Sequence, residues 1–371
     1  MKKVIRVSTV PISLISLLKG QLRMLSEHYK VIGVSSSGEN LEALAVQEGI
    51  EVSAVDMERK ISIFRDLKSL FKMVALLRRE KPDMVHSITP KAGLISMLSA
   101  KIAGVPVRVH TFTGLIFPTS KGFKKKLLIL MDRLTCLCAT HIYPEGQGVK
   151  KDLQDYKITS KPLNIIANGN VNGIDTVRFN PDGFEGPSPD IFRFCFVGRM
   201  VGDKGINELI VAFEKLNAKY PHTELILVGP YESHLDPLLP STIDKINSNK
   251  SIKTKGYQSD VRGFLAKSNI FVFPSYREGF PNVVLQAGAM GLPQIVTDIS
   301  GCNEIIVEGK NGVIIPPQDS QALYDKMEYM LEHRDAVEAM ASCAREMIVS
   351  RYEQKYLWGE LLKEYKKLLG E

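Results

Sequence analysis

Short apolar runs alternate with longer helical patterns along both halves of the 371-residue chain. This alternation is the signature of parallel β-sheets whose strands are joined by crossover helices. The strands expected in the first half are 4–7, 31–34, 84–86 and 107–111, with helices at 14–25, 66–79 and 94–103. Those expected in the second half are 192–197, 224–228, 270–273 and 294–296. The pattern predicts an α/β protein with two doubly wound, Rossmann-like domains facing a central cleft.

A turn-rich segment at 178–189 separates the two halves and has the composition of a linker. It places a first domain at 1–175 and a second at 190–350. The tail, 351–371, carries apolar and aromatic residues on a helical period, so it is expected to pack as a helix against another part of the chain.

Composition points to an ordinary globular protein, with 44% apolar and 24% charged residues. The five cysteines are scattered and odd in number, which favours reduced thiols over a disulfide framework. Cys136 and Cys138 have no second pair nearby, so a zinc site is not expected. We expect no secretory signal and no membrane span, because the longest apolar stretch falls short of the roughly 20 residues that a span needs.

A basic cluster immediately precedes the apolar run 127–131, and its members are Lys121, Lys124, Lys125 and Lys126. The net charge of +7 alone fits nucleic acid, anionic lipid or phosphorylated ligands. A basic cluster beside an apolar stripe is typical of a membrane-surface element, at roughly 1 kcal/mol per basic residue near anionic lipid. A buried helix with a solvated, lysine-rich start is the alternative, and the sequence leaves both open.

The segment 278–286 is the strongest candidate for a binding site. A strand-like run leads into a turn with Glu278 and Gly279, and an apolar helix is expected to begin near Pro281. Amide N–H groups at a helix start attract phosphate. With Glu278 on the loop and Gln286 one to two turns along the helix, this segment could hold a sugar, a diphosphate and a ribose.

Two cations follow the strand at 192–197. Gly198 and Arg199 come directly after it, and Lys204 lies five residues further on, before Gly205. Arg and Lys at a strand–helix junction can neutralise a diphosphate without a metal, although both could also be solvated loop residues. Neither half carries G-x-G-x-x-G after its first strand, and the chain has no G-x-x-x-x-G-K-[ST], so nicotinamide and P-loop sites are not expected.

Polar groups also follow the strands of the first half. Thr9 follows the first strand, His86 and Lys91 flank the turn at Thr89–Pro90, and His110 precedes Thr113 and Gly114. Gly20 could allow two elements to approach closely. Each has a plain structural alternative: a packing glycine, a helix cap at Thr89, or a hydrogen-bonded core histidine. In the second half Glu304 could reach the site or belong to a capping turn.

Taken together, these motifs resemble the GT-B retaining glycosyltransferases of glycosyltransferase family 4, over nearly the whole chain. The resemblance is carried by 197–199 with Lys204–Gly205, by 274–281, and by Gly301-x-x-Glu304 with Asn311–Gly312. The segments 89–93 and 172–175 resemble its bacterial branch of capsule, O-antigen and lipid-linked oligosaccharide hexosaminyl transferases.

The resemblance implies that the second domain binds a nucleotide-sugar, expected to be UDP-linked and an N-acetylhexosamine. Arg199 and Lys204 would grip the diphosphate, and Glu278 would hold the sugar hydroxyls. The remaining donor contacts would be Gly198, Gly279, Phe280, Pro281, Asn282, Gln286 and Glu304. No metal or other cofactor is expected.

The resemblance also implies that the first domain, completed by the returning C-terminal helix, binds a polyprenyl-diphosphate-linked glycan. The residues expected on the acceptor side are Thr9, Gly20, His86, Lys91, Thr113 and Gly114. The protein would lie in the cytoplasm at the inner face of the cell membrane, in contact with anionic lipid, and nucleic acid is not an expected partner.

Two residues depart from the family pattern. Gln286 stands where a second acid is usual, and an amide offers one acceptor group where a carboxylate can accept from both ribose hydroxyls. Thr113 stands where many members have a histidine before the glycine, which leaves His110 without an assigned catalytic role.

Two other functions stay open at the level of sequence. A GT-B sugar-nucleotide epimerase or hydrolase would need an acid–base set in the first domain, which the sequence does not supply. A donor-binding scaffold subunit with little activity is suggested by Gln286 and Thr113. For the transferase, the resemblance implies a front-face mechanism in which the leaving phosphate helps to deprotonate the acceptor, and the lack of an evident nucleophile in the sequence is consistent with it.

Overall fold

The computed structural model describes residues 1–58, 62–232 and 236–371. Within it the chain divides into two compact units. Unit 1 comprises Met1–Gly173 and Gln354–Glu371, and unit 2 comprises Ile174–Glu353. The last helix therefore belongs to the same unit as the N-terminus.

Unit 1 is built on a parallel sheet of six strands in the order β3-β2-β1-β4-β5-β6 over the described residues. The strands are β1 (Lys3–Val7), β2 (Lys30–Ser35), β3 (Glu51–Ala54), β4 (Met84–Ile88), β5 (Val107–Phe112) and β6 (His141–Pro144). The helices are α1 (Pro11–Leu17), α2 (Gln21–Ser26), α3 (Glu39–Glu48), α4 (Ile63–Glu80), α5 (Pro90–Ala103), α6 (Gly122–Cys138) and α7 (Gln147–Asp155).

Unit 2 repeats the architecture with strand order β12-β11-β10-β7-β8-β9 over its described part. The strands are β7 (Phe192–Val197), β8 (Thr223–Val228), β9 (Ile252–Thr254), β10 (Ile270–Phe273), β11 (Gln294–Thr297) and β12 (Gly312–Ile315). The helices are α8 (Ile206–Lys219), α9 (Pro240–Ser248), α10 (Arg262–Ala266), α11 (Asn282–Ala289), α12 (Cys302–Ile305), α13 (Ser320–Glu332) and α14 (Arg334–Tyr352), and α15 (Gln354–Leu369) then returns to unit 1.

The two parallel sheets confirm the predicted α/β class. All eight expected strands are present, and the four that the sequence missed are β3, β6, β9 and β12. These four are the outermost strands of the two sheets, and none exceeds four residues. The central strands β10 and β11 are as short, but all their residues are buried, whereas each missed strand has at least one residue that is not. A search for continuous apolar runs therefore passes over the edge strands.

The helix predicted at 14–25 was wrong, because α1 and α2 are separate helices. Gly20 lies between them in the left-handed region, with φ of +78°, which interrupts a right-handed helix. A Cβ at Gly20 would come within 2.8 Å of the Trp358 ring on α15. Gly20 therefore turns the chain and lets α15 pack closely, which is the packing role weighed for it.

The face of the sheet beneath α15 encloses His86. Its Nδ1 lies 2.6 Å from Arg6 Nη1 and 2.6 Å from the Tyr365 hydroxyl, and its Nε2 lies 2.8 Å from Thr111 Oγ1. Burial and the neighbouring Arg6 cation hold the pKa of His86 well below its usual range. The ring is thus a neutral core group that ties β1, β4 and β5 to α15, which is the structural alternative weighed for it, and an acceptor contact at His86 stays a prediction.

Asp132 on α6 is buried, and burial raises the pKa of its carboxyl to about 7. The folded protein thus holds this proton more tightly than the unfolded chain, where the pKa is about 4. The stabilisation is fully present below about pH 4 and is lost as pH rises through 7. We expect Asp132→Asn to raise the free energy of unfolding by a few kcal/mol at pH 8.5 and to change it little at pH 4.

Urea unfolding at the two pH values measures this difference. Asp244→Asn removes an exposed carboxylate from α9 and serves as the control, with no such pH dependence expected. An Asp132→Asn gain that is the same at both pH values would contradict the raised pKa.

Candidate active site

Arg199 follows β7 at the carboxyl edge of the unit 2 sheet. The Gly198 N–H donates to the Val228 carbonyl at 2.9 Å, which extends the pairing with β8 to the end of the strand. Arg199 Nη1 lies 3.0 Å from Glu232 Oε2, and the arginine side chain is 41% exposed. Because so exposed an ion pair contributes little stability, a phosphate could replace Glu232 as the partner of Arg199 at small cost.

Lys204 and Glu278 form the central ion pair of unit 2. Lys204 ends a 3₁₀ turn (Gly202–Lys204) before α8, and Glu278 lies on the loop between β10 and α11. Ser275 Oγ donates to the same Glu278 oxygen at 2.9 Å. The lysine and glutamate side chains are only 13% and 16% exposed, so each charge depends on the other for most of its stabilisation.

Asp203, the residue before Lys204, links the turn after β7 to the loop between β10 and α11. The Asp203 carbonyl accepts a hydrogen bond from the Tyr276 N–H at 2.9 Å and lies 3.3 Å from Ser275 Oγ. Its side chain pairs with Arg277 at 3.0 Å. Sequence reasoning did not find Asp203 or Arg277, because their roles depend on contacts between segments more than 70 residues apart. The one sequence feature that could have indicated these two residues is that they are the immediate neighbours of Lys204 and Glu278.

Two glycines allow the loops of the site to approach closely. Gly205 has φ of +70°, and a Cβ there would overlap the Pro274 carbonyl oxygen. Gly301 has φ of +78°, and a Cβ there would overlap the Gly279 carbonyl oxygen. Both positions therefore need glycine for conformation and for space.

Helix α11 begins as predicted, with Pro281 at the N-cap position and Asn282 as the first helical residue. Gln286 lies just over one turn along and is half-buried. The ring of Phe280 is buried: the residue is 6% exposed, and the ring packs edge-on against Tyr352 with 5.4 Å between centroids. Any donor contact at Phe280 would therefore come from its backbone.

Glu304 lies on α12, and its side chain accepts a hydrogen bond from the Gly301 N–H at 3.2 Å. Its carbonyl accepts from Arg351 Nη1 at 3.1 Å and from the Tyr352 hydroxyl at 3.2 Å. Glu304 thus caps the turn that lies against Gly279, which is the structural alternative weighed for it. Cys302 beside it is fully buried, and burial together with the Glu278 charge raises the pKa of its thiol well above the usual value.

In unit 1, Thr9 and Thr89 meet at the carboxyl edge of the sheet, with 2.8 Å between their hydroxyl oxygens. Thr89 has φ of +73°, which is rare for a β-branched residue, and it precedes α5 without a side-chain cap. Lys91 is nearly buried and pairs with Asp66 on α4 at 2.7 Å. The structure thus brings Thr9 and Thr89 together and directs Lys91 toward α4.

His110 is a buried, neutral residue. Its Nδ1 lies 2.8 Å from Ser87 Oγ, its ring packs edge-on against Phe112, and burial lowers its pKa to about 3. A Cβ at Gly93 would overlap this ring, which explains the glycine after Lys91–Ala92. Thr113 and Gly114 follow β5 and remain half-buried.

The lysines at the start of α6 do not all face solvent. Lys121, Lys124 and Lys126 are exposed, whereas Lys125 is half-buried, with its Nζ 3.0 Å from the Tyr156 hydroxyl. Among the residues the structure describes, no helix is both long and apolar enough to cross a bilayer. The same residues contain no group of three or more His, Cys, Asp or Glu side chains placed to hold a metal ion.

Comparison with known families matches both units. Residues 184–347 match the family model described as "Glycosyl transferases group 1", and residues 16–143 match "Glycosyl transferase 4-like". The capsular polysaccharide biosynthesis glycosyltransferase CapM of Staphylococcus aureus is 32% identical, over 100% of this chain and 98% of its own length. An Escherichia coli UDP-Gal:alpha-D-GlcNAc-diphosphoundecaprenol alpha-1,3-galactosyltransferase is 27% identical over 79% and 78%.

Solved structures share the fold at lower identity. Anabaena Alr3699/HepE in complex with UDP and glucose superposes with a TM-score of 0.82 at 17% identity, covering 99% of this chain and 100% of its own. A glycosyltransferase from Rickettsia africae gives a TM-score of 0.79 at 20% identity, over 99% and 98%.

Substitution of Gly205 tests the close approach that positions Lys204. Gly205→Ala adds a Cβ that overlaps the Pro274 carbonyl and places alanine at positive φ. Gly256→Ala is the matched control, because Gly256 has φ of +61° with open space around it. We expect the control to lower the free energy of unfolding by about 1–2 kcal/mol and Gly205→Ala to lower it by about 2 kcal/mol more. Urea unfolding measures both, and equal losses would show that the approach is not tight.

Proposed function

The chain belongs to the group 1 glycosyl transferases, and from that membership we propose that it moves a sugar from a UDP-sugar to a polyprenyl-diphosphate-linked glycan, with retention at the anomeric carbon. The observation that carries the proposal is the Lys204–Glu278 ion pair at the carboxyl edge of the unit 2 sheet, where doubly wound sheets bind their ligands. An N-acetylhexosamine is the donor sugar we propose.

The pair supplies complementary groups for the two halves of a donor. The Lys204 ammonium suits the diphosphate, and Arg199 adds a second cation whose present partner, Glu232, is exposed enough to be displaced. The Glu278 carboxylate suits the hydroxyls of the sugar. The first turn of α11 adds backbone N–H groups beside it. Because two cations can balance the diphosphate charge, we propose that the reaction needs no metal ion.

The chemistry would rest on charge stabilisation of the leaving diphosphate by Lys204 and Arg199. The thiol nearest to the pair, Cys302, is buried and its pKa is raised, so it is not poised as a nucleophile. His110 in unit 1 is enclosed and burial lowers its pKa to about 3, so it is a weak base that solvent does not reach. These placements support a front-face reaction in which the departing phosphate takes the acceptor proton.

The proposals for the acceptor and for the location of the enzyme are supported by the relatives and by unit 1, not by the Lys204–Glu278 pair. The E. coli relative is named for transfer to a diphosphoundecaprenol-linked sugar, and the S. aureus relative for capsule synthesis. Thr9 and Thr89 form a polar pair at the carboxyl edge of the unit 1 sheet, where an acceptor hydroxyl could bind. We propose that the enzyme works at the inner face of the membrane, where such a lipid-linked acceptor would be anchored.

Removal of the Lys204 charge tests the proposed diphosphate contact. We expect Lys204→Ala to lower kcat/KM by about 100-fold to 1,000-fold, because the leaving group loses a cation in the transition state. Turnover of UDP-sugars is measured in EDTA, with a lipid-diphosphate-linked acceptor in detergent. Lys219→Ala, which breaks an exposed ion pair with Glu328, should leave kcat/KM unchanged. Full activity of a folded Lys204→Ala protein would refute the diphosphate assignment.

Gln286 is tested by restoring the acid that the family usually has. A carboxylate can accept hydrogen bonds from both ribose hydroxyls, so Gln286→Glu should tighten UDP binding by about 1 kcal/mol, or roughly fivefold. Titration calorimetry with UDP measures the gain, and a 2′-deoxyribose analogue should lose it. Gln258→Glu, at an exposed position of unit 2, controls for added charge. An unchanged UDP affinity would place the ribose contact elsewhere.

A further inference from the structure

Helix α4 exposes a stripe of large apolar side chains that the fold does not use. Phe64 is 88% exposed, Leu67 is 46% exposed and Phe71 is 71% exposed. Their spacing of three and four residues puts them on one side of the helix, while Met73, Leu76 and Leu77 on the other side are buried in the unit 1 core. Single exposed apolar residues are common, but three that share one side of a helix are typical of an interaction surface.

The same outward face of α4 is basic. It carries Arg65, Lys68, Lys72, Arg78 and Arg79, all exposed. The two acids of the helix turn away from this face: Asp66 pairs with Lys91, and Glu80 pairs with Lys3 and Arg79. Two exposed acids of the preceding loop, Asp56 and Glu58, pair with Lys72 and Arg65. Among the described residues, Lys68 and Arg78 are therefore the main cations next to the apolar stripe that have no acidic partner.

Helix α6 has the same composition on its outer face. Phe123 is 80% exposed, Leu130 is 53% exposed and Leu137 is 62% exposed. The exposed charges on this face are Lys124, Lys126 and Arg133, and the acid of the helix, Asp132, is buried. Helix α5 packs against both α4 and α6 and is itself largely buried. The two apolar and basic faces thus belong to helices that flank α5 in one layer of unit 1.

We propose that the outer faces of α4 and α6 together form a binding surface for an anionic lipid bilayer. Apolar side chains among basic ones, with the acids of the two helices themselves turned away, match a surface whose headgroups are negative and whose interior is apolar. The Lys121–Lys126 cluster is then one end of a larger two-helix surface. The proposal deepens the proposed function by naming the partner of unit 1, and it rests on that function only for the acceptor's location.

Partition of the full chain onto vesicles tests the surface directly. Vesicles of phosphatidylcholine with 30% phosphatidylglycerol are compared with vesicles of phosphatidylcholine alone, by co-sedimentation at low salt. We expect the unaltered protein to bind the anionic vesicles. Lys68→Gln combined with Arg78→Gln should weaken this binding about 30-fold, because each basic residue contributes about fivefold. Phe64→Ser with Phe71→Ser should weaken it at least tenfold.

Matched controls come from unit 2, where Tyr257 is 74% exposed and Lys253 and Lys255 are exposed on and after β9. Tyr257→Ser, and Lys253→Gln with Lys255→Gln, should leave vesicle binding unchanged. The proposal is overturned if the α4 variants bind anionic vesicles like the unaltered protein, or if the unit 2 controls weaken binding as much.

The vesicle readout does not depend on sugar transfer. Stabilisation by UDP in a thermal melt shows whether each variant keeps its folded unit 2 site. Vesicle binding that depends on α4, in a protein that transfers no sugar, would support the membrane surface and reject the proposed function. Sugar transfer in detergent, with no binding to anionic vesicles, would support the proposed function and reject the membrane surface.

Discussion

The structure of the candidate site depends on one close approach between two loops of unit 2. The turn after β7 and the loop after β10 touch where Gly205 faces the Pro274 carbonyl. The two strands are adjacent and parallel, so their carboxyl ends meet at one edge of the sheet. Contacts of Asp203 with the loop at 275–277 hold the backbones of the two loops at this distance. Lys204 and Glu278 can pair only because the backbones have first been brought this near.

The charged and polar groups of the two units differ in what holds them. In unit 1, His86 and His110 are enclosed, neutral and fixed by core partners, so neither can exchange a proton readily with a ligand. In unit 2, Arg199 has a partner that solvent already reaches, and Lys204 and Glu278 have each other. Chemistry needs groups whose partners can be replaced by a substrate. The charges of unit 2 meet that requirement, and the histidines of unit 1 do not.

The sequence predicted what depends on local pattern and missed what depends on tertiary contact. Central strands were found because nearly all their residues are buried, whereas edge strands such as β3 and β9, which are partly exposed, were not. Lys204 and Glu278 were predicted from short motifs, and the structure pairs them. The role of Asp203 was not, because it arises from contact with a loop distant in sequence. Gly20 looked like part of a helix because Trp358, which requires the glycine, lies over 300 residues away.

The ion pair also bears on how a donor would be selected. Removing one partner from a fully buried pair costs about 3–5 kcal/mol, and less where solvent still reaches the charges, as it does here. Under the proposed function, a nucleoside diphosphate alone would give Lys204 a new partner. Glu278 would then keep the Ser275 hydroxyl as its hydrogen-bond donor and lose only its cation. A nucleotide-sugar would satisfy both, with phosphate on Lys204 and sugar hydroxyls on Glu278. The pair would thus favour the intact donor over the spent nucleotide, and re-forming it after transfer would help to release the product.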